Sequence, residues 1–202
     1  MKQDSFLAQN HTTGAKPYVK PISKTFKMKY LFLLIIILFA LKTFPENRYP
    51  DDIPKIKEAM VLAVENSRIT DSLYADLIKR KAPSALILAY TGTLEALKAK
   101  HSWNPYQKIS YVARSQKTLQ KAVVADPENL EIRFMRFSTQ HYTPAFLGYS
   151  KEIELDRKMI IRQYSQKAFG KANPELIRSI AGFLISSNRC TSQELAILKK
   201  FI

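Results

Sequence analysis

Cysteine is almost missing from this sequence: Cys190 stands alone among 202 residues. A single thiol cannot close an intramolecular disulfide, and it excludes a Cys-rich zinc site. With no second thiol and no base beside it in the sequence, Cys190 reads as an inert residue at a helix junction rather than a nucleophile. Glycine is nearly as scarce, five residues with no cluster, so the glycine-rich loops that cradle phosphate have no counterpart here. The three histidines form no HExxH and fall at no ligand spacing, and there is no GxSxG nucleophile elbow. No metal and no cofactor is expected. Period-two alternation of the kind that marks a strand is missing too.

Acidic residues are outnumbered, 17 against 32 lysines and arginines, for a formal net charge of +15. Seven of the lysines fall between Lys2 and Lys42 against Asp4 alone, and the remainder of the chain is still basic. Basic residues are spread over every helical segment rather than gathered in one block, which reads as a generally basic solvated surface.

Tyr30 to Leu41 reads YLFLLIIILFAL, an uninterrupted apolar run preceded by Lys27 and Lys29 and followed by Lys42. As a helix it would span about 18 Å against a hydrocarbon core of about 30 Å, which is short for a transmembrane segment and right for a secretory signal. Met28 makes a compact start to such a signal. Residues 1–27 then read as a disordered basic tail or the product of an upstream start, 28–44 as signal peptide or membrane anchor, 45–51 as linker and 52–202 as a helical domain. The small-x-small cleavage pattern is not met after Ala40, so retention as an anchor stays open. Five lysines between Lys16 and Lys29 before the run, against Glu46, Arg48, Asp51 and Asp52 after it, put the N-terminus in the cytoplasm by the positive-inside rule. The expected location is periplasmic, secreted, or membrane-anchored with the domain outside the cytoplasm.

Beyond Pro50 the apolar residues recur at helical spacing, and the pattern predicts an all-α fold of packed antiparallel helix pairs, about eight helices in all. A first helix covers about 52–66. A second, capped by Thr70 or Asp71, ends near Pro83. The third, about 84–100, carries small residues Ala85, Ala89, Gly92, Ala96 and Ala99 on one face and Leu86, Tyr90, Leu94 and Leu97 on another, so it should sit inside the array. The fourth, about 105–125, is expected to turn Ile109, Val112, Gln116, Leu119 and Val123 to the core. Asp126-Pro127 stops it and a fifth helix follows, with Leu130, Phe134, Phe137 and His141 in one stripe. Three more helices follow Gly148, Gly170 and Cys190.

Ser115, Leu119, Ala122 and Pro127 are spaced as in the second helix of a tetratricopeptide repeat, so the third and fourth helices resemble one degenerate tetratricopeptide-like unit. The order KAKHSWNP (Lys98 to Pro105), DPENLEIRF (Asp126 to Phe134) and FLGY (Phe146 to Tyr149) resembles a family of small exported helical proteins of Bacteroidetes-type bacteria, to which no activity is assigned. That resemblance implies export and helices and carries no catalytic residues.

The candidate binding residues are His101, Trp103, Asn104, Arg133 and Arg136. An exposed indole beside polar donors can contact a peptide or ligand, though Trp103 can also plug the hairpin end while Asn104 caps the fourth helix through Pro105. Arg133 and Arg136 lie three apart on an apolar helix and need anionic partners, for which Glu95, Glu152 and Asp156 are candidates; a structural ion pair is the expectation and a bound carboxylate the alternative. Two functions follow. One is a non-catalytic interaction or scaffold protein of the cell envelope, its partner an envelope protein or peptide, with membrane contact through residues 30–41 if these are retained. The other is an enzyme with a dispersed polar site around His101, Arg133, Arg136 and His141. A nucleic-acid partner, through Arg114, Lys117 and Lys121, is not expected of an exported chain.

Overall fold

In a computed structural model the structure describes residues 52–149 and 152–202. The apolar run Tyr30–Leu41, and with it the signal or anchor expectation, lies outside the described residues. These residues form eight α-helices and no strand: α1 Ile53–Ala63, α2 Ser67–Leu77, α3 Ala85–His101, α4 Pro105–Ala125, α5 Leu130–Tyr142, α6 Ile153–Gln166, α7 Pro174–Ser186 and α8 Ser192–Leu198. Short 3₁₀ turns cover Ala145–Leu147 and Lys199–Phe201. Among the described residues no helix is long and apolar enough to cross a membrane.

Most helix starts are set by a side chain that satisfies otherwise orphaned backbone N–H groups. Asn104 Oδ1 accepts from the amides of Tyr106 and Gln107, with Pro105 in the first helical position. Ser84, Asn129, Asn173 and Thr191 do the same for α3, α5, α7 and α8, and Thr191 completes a capping box with Glu194. The second helix begins earlier than its expected caps, Thr70 and Asp71. Asn66 is extended and accepts from Arg68 and Ile69, and Asn is the stronger cap. Thr70 instead donates its hydroxyl to the carbonyl of Ala63, tying α2 back to the end of α1.

Consecutive helices from α1 to α6 pack as antiparallel pairs, and α3 lies at the centre, touching α1, α2, α4 and α5. Its closest neighbour is α4. Gly92 makes that approach possible: a Cβ there would stand 2.8 Å from Leu119 Cγ and 3.1 Å from the Leu119 amide nitrogen. The buried carbonyl of Gly92 accepts a hydrogen bond from the buried Ser115 hydroxyl at 2.6 Å. Two apolar cores result, one from α1 to α4 and one from α6 to α8, and α5 is their common wall. Ile132 and Met135 face the first core, while Leu130 and Phe137 face the second, where Phe183 meets Phe134 and Phe137 edge to face.

Candidate functional site

The groove arises from unequal helix lengths. The 21 residues of α4 extend about 32 Å, whereas the 13 of α5 extend about 20 Å. The turn between them is short, so α5 begins beside the end of α4 and runs out before reaching its start. The first six residues of α4, Pro105 to Ser110, are all exposed. The 3₁₀ turn after α5 folds back toward them without covering them.

That leaves an open, mostly apolar groove of about 910 Å³. Its walls are Thr93, Ala96, Leu97 and Lys100 from α3; Pro105, Lys108, Ile109 and Val112 from α4; and Thr139, Tyr142 and Thr143 from α5. Phe146 and Leu147 close one side, and Val64 and Glu65 from the end of α1 reach the other. Four aromatic side chains on these segments stand in solvent: Trp103 is 98% exposed, Tyr106 84%, Tyr142 76% and Phe146 86%. Side chains left this bare make the margin of the groove a candidate contact surface. Glu65, the acid in the groove wall, is already paired with Lys100 at 2.8 Å, and burial is not what holds it: the Lys100 ammonium keeps its carboxyl below the ordinary range.

The five residues singled out in the sequence separate in the structure. Arg133 and Arg136 converge on one carboxylate, Asp156 of α6, which has no exposed surface. Arg136 holds it with two bonds, Nε to Oδ2 at 2.6 Å and Nη2 to Oδ1 at 2.7 Å, and Arg133 Nη1 donates to Oδ1 at 2.9 Å. Two further donors are used: Arg133 Nε donates to the Pro127 carbonyl at 2.7 Å, and Arg136 Nη1 to Gln120. This triad joins α5 to α6, and neither arginine lines the groove. Of the other acids considered as partners, Glu152 is the N-cap residue of α6, and Glu95 accepts from the Tyr74 hydroxyl.

His101 Nε2 lies 3.2 Å from the Ala63 carbonyl and pins the end of α3 to the α1–α2 corner. Asn104 is the cap of α4. His141 stacks on Phe137, meets Phe183 edge to face, and takes a hydrogen bond from Arg189 Nε at Nδ1, 3.0 Å away. Burial, then the nearby Arg189 charge, hold its imidazole below the ordinary histidine range, so it sits neutral as an acceptor. His101, His141 and the two arginines thus face different neighbours and do not share a site. Trp103 does not plug the hairpin. It is free in solvent beside the groove.

Among the described residues no group of histidine, cysteine and acidic side chains has the spacing to hold a metal ion. Burial pushes the Cys190 thiol up, away from thiolate chemistry. A polar cluster on the other face of α3 places Lys98 over the rings of Tyr74 and Tyr111 and pairs it with Asp71. Buried Glu95 lies nearby, and desolvation raises its carboxyl above the ordinary range, against hydrogen bonds from Thr118 and Tyr74 and the charges of Arg114 and Lys121. Sequence reading missed the groove because it treated Ile109 as core and gave Tyr142 and Phe146 no role. The usable signal was the eight-residue difference in length between α4 and α5. Comparison of the chain with protein-family models, with curated proteins and with solved structures gives no match.

Proposed function

We propose that this chain is an exported, non-catalytic interaction module of the cell envelope, with the groove at the start of α4 as its working surface. The observation that carries the reading is the groove itself: an apolar channel of about 910 Å³ whose margin leaves Trp103, Tyr106, Tyr142 and Phe146 in solvent. A domain of this size gains by burying such side chains, roughly 1.5–3 kcal/mol each, and leaving four out is intelligible when a partner covers them. Export is supported by the basic-then-apolar segment that begins at Met28. The reading of α3 and α4 as one degenerate tetratricopeptide-like pair is supported by the contact of Gly92 with Ser115 and Leu119.

A photo-crosslinking residue placed at Ile109, in the groove wall, and separately at exposed Lys171, on the loop before α7, tests this in intact cells. Adducts with an envelope component from position 109 and none from 171 are expected. Absence of any adduct at 109 would contradict the reading.

A further inference from the structure

The geometry points to an anionic lipid surface as what the groove face meets. This rests on the proposed function and names the partner of the same site. Three independent observations carry it.

The first is the chemistry of the margin. Trp, Tyr and Phe beside Lys is the side-chain set that partitions to the boundary between headgroups and acyl chains, because each aromatic has an apolar body and Trp and Tyr add a polar tip. Trp103, Tyr106 and Phe146 stand on turns and helix ends, almost bare, rather than half-sunk in a slot shaped for one peptide side chain. Trp103 makes no hydrogen bond among the described residues, so its indole N–H is free for a headgroup oxygen.

The second is charge. Of the six lysines and arginines between Ala96 and Ala125, Lys98 and Arg114 belong to the cluster with Tyr74 and Tyr111 on the other face of α3, whereas Lys100 and Lys108 line the groove. Lys108, in the groove wall, has no carboxylate partner among the described residues, and Glu65 opposite is neutralised by Lys100. The groove wall therefore presents one unbalanced positive charge, Lys108, beside an apolar centre, the complement of an anionic leaflet.

The third is the length of chain outside the described residues. The apolar run ends at Leu41 and α1 begins at Ile53, so eleven residues separate them. Fully extended they reach about 40 Å, close to the diameter of a folded domain of about 150 residues. If the run is retained as an anchor, any face of the domain can reach the bilayer, and a weak patch suffices because the tether holds it at high local concentration.

Trp103 is the only tryptophan in the chain, so the emission of the intact protein reports this one position. The full chain is reconstituted in vesicles of phosphatidylcholine, with or without phosphatidylglycerol, and its emission and its quenching by bromine-labelled acyl chains are recorded. Docking predicts a blue shift and quenching with phosphatidylglycerol, both much weaker in phosphatidylcholine alone. Lys108→Gln removes one exposed charge, leaves far-UV circular dichroism unchanged, and lowers the docking equilibrium about fivefold. Emission that stays at the position of a water-exposed indole, open to iodide in both vesicles, overturns the proposal. So does a blue shift indifferent to phosphatidylglycerol and to Lys108→Gln. A protein or peptide adduct from Ile109 combined with a wet Trp103 would remove the lipid and keep the interaction module; no adduct of any kind would remove both.

Discussion

Asp156→Asn should be the most damaging single polar substitution in the domain. Asp156 has no exposed surface and accepts three hydrogen bonds from two guanidinium groups that are themselves buried. Asparagine keeps the shape but removes the one negative charge, leaving Arg133 and Arg136 facing each other without compensation. Breaking a buried pair by deleting one partner costs about 3–5 kcal/mol, and here two cations are stranded, so the loss should reach at least that range. Against a total stability of about 5–15 kcal/mol this is a fifth or more of what holds the fold. The arginines should rank below it. Either arginine can be removed and still leave a balanced one-to-one pair, but Arg136→Met removes both bonds of the bidentate grip and the link to Gln120, whereas Arg133→Met removes one bond to Asp156 and one to Pro127. We expect about 2–3 kcal/mol for Arg136→Met and about 1 kcal/mol for Arg133→Met. Replacing all three residues with methionine and leucine of similar volume should recover much of the loss, since no ion is then stranded. Urea unfolding of the fragment from Tyr49 onward, followed by far-UV circular dichroism, gives each difference directly. An Asp156→Asn variant within about 1 kcal/mol of the parent would refute the argument, and equal losses for Arg133→Met and Arg136→Met would refute the ranking.

Two further substitutions test the packing around α3. Gly92→Ala adds a Cβ 2.8 Å from Leu119 Cγ and 3.1 Å from its backbone nitrogen, so α3 and α4 must separate; despite alanine's better helix propensity, a net loss of about 1–2 kcal/mol is expected in the same urea assay. Glu95 has a raised carboxyl in the folded state, so the unfolded chain releases its proton first and stability falls as pH climbs from about 4.5 toward the folded value. Glu95→Gln should abolish that fall and leave the domain as stable as the parent, or more so, at neutral pH; a parent whose stability rises across that window by an amount Glu95→Gln removes would show the sign to be wrong.

Elements whose limits rest on local chemistry were legible in the sequence. Asn104-Pro105 and Asp126-Pro127 bracket α4 to the residue, because a cap and a proline act on the backbone beside them. The small and large faces of α3 correctly place it among several neighbours, since periodicity records how many sides a helix buries. Three things were not legible, each because it depends on residues far apart. Asn66 rather than Thr70 starts α2, a choice made when Thr70 found the Ala63 carbonyl. Asp156 rather than Glu95 or Glu152 serves the two arginines, and only the packing of α6 on α5 decides that. Ile109 follows the core period of α4 but lies half in solvent, because α5 stops short of it. Of the candidate site residues, four are used for capping, pinning or ion pairing, and Trp103 has no such use.

Hydroxyl-radical labelling in intact cells, read by mass spectrometry, tests most directly whether the groove face is the working surface. Trp103, Tyr106, Tyr142 and Phe146 are among the most exposed aromatics of the described residues, while Val124 and Ile202 are exposed apolar positions away from the groove. The account predicts that the four aromatics label strongly in the purified fragment and are protected in cells, with Val124 and Ile202 unchanged. Equal labelling of all six positions in cells and in the purified protein would contradict it.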